Sequence, residues 1–221
     1  CIPLPTQTLP PATHTNCYIL GVSGGERVII DPAAKSKDAL EILSRKINEI
    51  RLSGSEIIAT IFTHKHQDHI GNLEEIDKMY RAPIWASKET LEAISKLENN
   101  KILQENDSFV LKGNNSSECW NIIDTPGHCP GHICLVGDAG IVSGDNVAVI
   151  GTILVPSTDG DMNKYLEGLQ RMKELNPPLL FPGHGPFSAN PEKLLNRYIK
   201  HRSKRHQLVL DAVKDFSDLQ G

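Results

Sequence analysis

The chain has 221 residues, a formal net charge of −4, 39% hydrophobic and 23% charged residues, a balance ordinary for a folded soluble domain. No stretch approaches the roughly 20 apolar residues of a membrane-crossing helix. The acidic balance argues against a broad nucleic-acid surface, with one local exception, the run RYIKHRSKR at 197–205 with its five Lys or Arg.

The lead CIPLPTQTLPPATHTN has neither the charged start nor the apolar run of a secretory signal. A start at Cys1 fits a trimmed piece of a longer polypeptide or a processed lipoprotein. NCYIL (16–20) and RVIID (27–31) then read as short strands joined by a Gly-rich turn. Residues 36–50 carry Ala39, Leu40, Ile42, Leu43, Ile47 and Ile50 at helical spacing. EIIATIF (56–62) reads as a buried strand running into THKHQDHIGN. Helices are predicted over 73–80 and 87–97, with the strand APIWA between them, followed by strands at SFVLK, CWNIIDT, HICLVG and GIVSGD. Helical spacing returns over 162–175, then come PPLLFPGHGP and a long helix over about 190–214. No repeat or linker interrupts the chain. The expectation is one domain over 1–221, an α/β architecture with strands packed face to face and helices outside.

Five cysteines, Cys1, Cys17, Cys119, Cys129 and Cys134, lack CxxC spacing, which argues against a disulfide framework and a cysteine-rich zinc module. A cytoplasmic setting fits best. The chemistry points instead to histidine. His64, His66, Asp68 and His69 fall within six positions, in a chain of nine histidines. Imidazole nitrogen and carboxylate oxygen are usual ligands of zinc and other first-row metals. One catalytic zinc holds about four ligands with a position open for water, so further donors downstream imply two ions. In an extended segment residues two apart point the same way, so His64 and His66 can converge on one ion, and Asp68 and His69, where the chain turns toward a helix, can face a second.

Three later stretches share one form, an apolar strand and then a glycine-bearing turn that delivers a single candidate: IIDTPGH with His128, GIVSGD with Asp145, and LLFPGH with His184. Strand ends are rigid, and glycine lets backbone pass close to a metal. The two oxygens of Asp145 suit it to bridge two ions. Asp31, closing RVIID, either orients a metal-bound histidine or caps a turn, and His132 reads as structural rather than catalytic. Asn16, Tyr18 and Cys129 read as packing residues, and 197–205 as a solvated helix face.

THKHQDHIGN, TPGH, SGD and FPGHG, in this order and approximate spacing, resemble the metallo-β-lactamase superfamily over nearly the whole chain. The resemblance implies a four-layer αββα sandwich with its site at one edge of the two sheets. It implies His64, His66 and His128 on a first metal, Asp68, His69 and His184 on a second, and Asp145 bridging. True metallo-β-lactamases generally lack the bridging aspartate, and flavodiiron proteins carry glutamate where His66 stands. DNVAV lacks the tyrosine that lactonases typically place soon after that aspartate. The pattern looks most like glyoxalase II and a lactamase-B-like group that includes endoribonucleases. The function implied is a dinuclear zinc hydrolase of a small ester or thioester, with a metal-bridging hydroxide and Asp68 and Asp145 as catalytic carboxylates; iron and manganese also fit the donors. Two other readings stand beside it: a metal-dependent endoribonuclease gripping RNA through 197–205, and an iron persulfide dioxygenase using mainly His64, His66 or His69, His128 and Asp145. The sequence sets no oligomeric state.

Overall fold

Period-two apolar patterning builds two sheets in the computed structural model, which describes residues 1–94 and 100–218. The first sheet runs β1 (Ile2–Pro5), β2 (His14–Leu20), β3 (Glu26–Ile30), β4 (Glu56–Ile61), β5 (Ile84–Ala86) and β6 (Lys101–Ile102), in that spatial order. β1 to β3 pair antiparallel and β3 to β6 parallel. The second comprises β7 (Ser108–Lys112), β8 (Ser117–Asp124), β9 (Ile133–Gly137), β10 (Gly140–Gly144) and β11 (Leu180–Pro182). Its spatial order is β11-β10-β9-β8-β7, with β11 parallel to β10 and the other pairs antiparallel.

Alternate residues face opposite sides of each sheet. Val28 and Ile30 of β3 meet Trp120 and Ile122 of β8 and Ile133 and Leu135 of β9 between the sheets. Ile29 turns outward onto α1 (Lys37–Leu52), where Ala39, Leu43, Ile47 and Ile50 form the buried stripe. Ser36 caps that helix by accepting from Ala39 N. The short α2 (Gln67–Ile70), then α3 (Leu73–Met79) and α4 (Lys88–Ile94), complete this side. On the other side Ile123, Cys134 and Ile141 pack against α5 (Met162–Glu174) and α6 (Pro191–Asp218) through Tyr165, Leu169, Met172, Leu194 and Leu195. Each fully buried aliphatic contributes about 1.5–3 kcal/mol. The result is the expected αββα sandwich.

Two strands depart from the sequence reading. The Pro-rich lead forms β1, pairing Ile2 with Cys17 and burying Ile2 and Leu4. Pro3 and Pro5 are compatible because β1 is an edge strand, where a missing N–H breaks no ladder. β6 is two exposed residues, too short for any periodicity. The end of the helix expected over 87–97 lies outside the described residues, and α6 continues to Asp218. No helix among the described residues is long and apolar enough to cross a membrane.

Candidate metal centre

The carboxyl ends of β3, β4, β8, β10 and β11 converge on one edge of the sandwich. Beyond β4, Thr63 and His64 continue inward and are fully buried. His66 keeps extended dihedrals as the N-cap of α2, and Asp68 and His69 sit in that one-turn helix. The chain therefore turns where the sequence expectation put the change of direction. Glycine is required at two turns. At Gly144 (φ +46) a Cβ would lie 2.6 Å from His132 Nε2, and at Gly183 a Cβ would lie 2.6 Å from His69 Cε1 and 2.7 Å from Asp145 Oδ1.

All seven predicted residues come together. His66 Nδ1 stands 3.1 Å from His64 Nε2 and 2.9 Å from His128 Nε2. Three nitrogens around a tetrahedral zinc with bonds of 2.0–2.1 Å would sit about 3.3–3.4 Å apart, close to this spacing. Around the second group, His184 Nε2 lies 3.5 Å from Asp68 Oδ2 and 3.4 Å from His69 Nε2. Asp145 lies between. Its Oδ2 is 3.6 Å from His128 Nε2, and its Oδ1 is 3.3 Å from His69 Nε2 and 3.4 Å from His184 Nε2. Oδ1 is buried, and among the described residues no well-aligned hydrogen-bond donor meets it. A buried carboxylate oxygen in that state is costly unless a cation faces it. The donor set therefore fits divalent metal ions, and its triads, His64/His66/His128, His64/His69/Asp145 and Asp68/His69/His184, have metal-ligand spacing.

Partners on the far side of each ring aim it. Thr63 Oγ1 donates to Asp31 Oδ2 (2.6 Å), so it accepts the Nδ1–H of His64 (3.0 Å). His128 Nδ1 donates to Leu154 O (2.7 Å), His184 Nδ1 to His14 O (2.8 Å) and His69 Nδ1 to Asp31 Oδ2 (2.8 Å). In each case Nε2 is left facing the cluster. Asp31 thus orients His69 and holds Thr63 from both its N–H and hydroxyl, which accounts for its left-handed backbone at φ 47. His132 Nε2 accepts from Asp145 N (3.1 Å), a contact that positions the aspartate.

Electrostatics divide the cluster. Burial pushes His64 and His66 below the ordinary histidine value, leaving them neutral. Burial acts the same way on His69 but is outweighed by Asp145 and Asp31, which hold it well above that value. His184, against its own burial, is raised to about 9 by the carboxylates of Asp145 and Asp68 beside it. Asp68 is held at about 2, its burial opposed by His184 and His69.

Some contributors were not legible in the sequence. Thr8 Oγ1 reaches within 3.4 Å of His184 Nε2, carried there by the β1–β2 pairing. Asn16 and Tyr18 span the two sheets: Asn16 Nδ2 donates to Pro182 O (2.9 Å) and Gly185 O (2.7 Å), Asn16 N to Gly183 O (2.8 Å), and Tyr18 OH to Pro182 O (2.7 Å). The basic run is only partly a solvated face. Arg202 is buried and donates to Thr152 Oγ1 (2.6 Å) and to Ile153 O, while Arg197 donates to Val149 O (3.2 Å). Lys200, Lys204 and Arg205 are exposed. Burial pushes the Cys129 thiol up to about 12, consistent with packing.

Comparison with known proteins agrees with this geometry. Residues 10–184 match the family model described as the metallo-beta-lactamase superfamily. Among curated relatives, a Beta-lactamase-like protein 2 homolog from Caenorhabditis elegans is 27% identical over 93% of this chain and 67% of its own length. The Bacillus subtilis protein named "Probable polyketide biosynthesis zinc-dependent hydrolase PksB" is 24% identical over 89% of this chain and 84% of its own. Of solved structures, a metallo-beta-lactamase family protein from Thermus thermophilus superposes with a TM-score of 0.75 at 17% identity, covering 96% of this chain and 81% of that one. ETHE1 from Myxococcus xanthus gives 0.65 at 20% identity, covering 84% and 80%. With its αββα layers and its His/Asp cluster at the sheet edge, the chain belongs to the metallo-beta-lactamase superfamily, a family of metal-binding and generally hydrolytic enzymes.

Proposed function

We propose that the protein is a dinuclear zinc-dependent hydrolase of a small ester or thioester. His64, His66 and His128 hold one ion, Asp68, His69 and His184 the other, and Asp145 joins them. The observation that carries this reading is the Asp145 carboxylate, whose two oxygens face the two histidine groups and whose buried Oδ1 lacks an aligned donor. When bound, the ions would supply a Lewis acid for the substrate's carbonyl oxygen and lower the pKa of water.

The chain's own residues do the remaining work. Thr63, Asp31, Leu154 O and His14 O fix the rings, so that little reorganisation is needed as charge develops. Asp68, with its side chain 19% exposed against 10% for Asp145, is the carboxylate we assign to taking a proton from water. Water adds to the acyl carbon, the bond to oxygen or sulfur breaks, and the proton ends on the leaving group. The cleft at the cluster, about 370 Å³, is lined by no Lys or Arg among the described residues, which favours an uncharged acyl centre over a phosphodiester.

Elemental analysis of protein purified without added metal, paired with assays on a small activated thioester, single-stranded RNA and a persulfide with oxygen uptake, tests the reading. Two equivalents of zinc with thioester turnover are expected. Efficient RNA cleavage lost at raised salt, or a single iron with oxygen uptake, would overturn it.

A further inference from the structure

We propose that the acyl part of the substrate is an extended apolar chain, which leaves the metal cleft past Leu9 and Leu154 and ends beside α6 at Val209. The inference rests on the hydrolase reading above and names the class of acyl group it takes. Two hollows carry it. The cleft holding the His/Asp cluster, about 370 Å³, and a second hollow of about 470 Å³ share one wall, Leu9–Pro10 and 152–154. Beyond that wall the second hollow is lined by Val155, Met162 and Val209, together with Arg202, Arg205 and His206. A chain anchored at the cluster has an apolar route out of the cleft and into the next hollow.

Exposure along this route points the same way. Leu9 is 61% exposed, Ile150 62%, Leu154 53% and Val209 55%. Single exposed apolar residues are ordinary, but a set that lines a cleft and its neighbouring hollow marks a surface that is covered in use. The continuity of this strip with the metal cleft identifies the cover as part of the substrate.

The wall is also built rather than loose. The buried Arg202 donates to Thr152 Oγ1 and Ile153 O, with its guanidinium 5.7 Å from the Tyr165 ring centre. Leu154 O accepts from His128 Nδ1, which ties the wall to the cluster. The route therefore has a fixed position relative to the reacting carbonyl, and Arg202, the cation nearest the shared wall, is spent on the wall's own oxygens.

The test is a homologous series of p-nitrophenyl esters, acetyl to decanoyl, on the zinc-replete protein. kcat/KM is expected to rise about threefold to fourfold per added methylene, mainly through KM, and to level off once the second hollow is filled. Leu154→Asn and Val209→Asp should each flatten that rise, whereas Leu175→Asp, exposed at the end of α5, should leave it intact. Turnover with no dependence on chain length overturns the inference while leaving the hydrolase reading standing. If no ester turns over, the hydrolase reading fails, and titration calorimetry with carboxylates from acetate to decanoate decides the inference by itself. Binding that tightens with length, and loses this in Val209→Asp, supports the route; equal binding along the series overturns it.

Discussion

The two halves of the candidate metal centre are built from different materials. Around His64, His66 and His128 the supports are neutral, a threonine hydroxyl and a backbone carbonyl, and burial keeps His64 and His66 uncharged. Around His69 and His184 stand the carboxylates Asp31, Asp68 and Asp145, which draw protons onto both rings. The first half offers convergent lone pairs with little charge of its own. The second carries excess negative charge that a bound cation would offset in place of protons. Asp145 belongs to both, and this inequality is what substitutions should expose.

Asp145→Ala is expected to have the largest effect, because it removes the carboxylate that faces both halves at once. Turnover should be abolished and metal content should fall, with little change in the thermal melt. Near-normal activity from a chain holding a single ion would break the comparison.

His64→Ala and His128→Ala should each lower activity by several orders of magnitude. His14→Ala should change it little, since the contact from His14 to the centre is its backbone carbonyl. Equal losses in all three variants would show that the neutral half is wrongly assigned.

Asp31→Asn should sharpen the contrast. It weakens the support of His69 while keeping a residue that accepts a positive φ. If two ions bind as proposed, a loss of about 10-fold to 100-fold in metal affinity is expected, larger for the ion on the His69 side in a stepwise zinc titration, because Asp31 touches His69 directly and reaches His64 only through Thr63. A loss spread evenly over both ions would mean that the halves are not separable.

The smallest effects belong to the basic helix. Lys204→Ala with Arg205→Ala should leave turnover of an acetyl thioester within about twofold, as expected of exposed positions that fall outside the cleft lining. Arg202→Ala should instead lower stability by about 1–3 kcal/mol, because it orphans Ile153 O and Thr152 Oγ1.

How much of this could be read in advance follows from distance along the chain. His64, His66, Asp68 and His69 sit on one strand end and one helical turn, so local geometry sufficed to group them. His128, Asp145 and His184 each announce themselves by a strand followed by a glycine turn. Asp31 stayed ambiguous because its partner His69 lies 38 residues away. Thr8 carried no signal, since its place depends on β1, whose prolines disguise a strand. The wall at 152–154 lacks periodicity, and its position is set by Arg202 from another element. The same contact shows why charge alone misjudged part of 197–205: a guanidinium can be spent inward on carbonyls.

The strut made by Asn16 and Tyr18 has a consequence for anyone rebuilding this scaffold. It joins β2 of one sheet to the end of β11 and the turn after it in the other through four hydrogen bonds, three of them onto carbonyls of residues 182 and 183. The FPGHG turn is therefore not a portable cassette. Grafted onto another sandwich without its β2 counterpart, it would arrive with unmet acceptors and His184 free to swing, so a transplant or a circular permutation that separates 14–20 from 180–185 should be cut elsewhere.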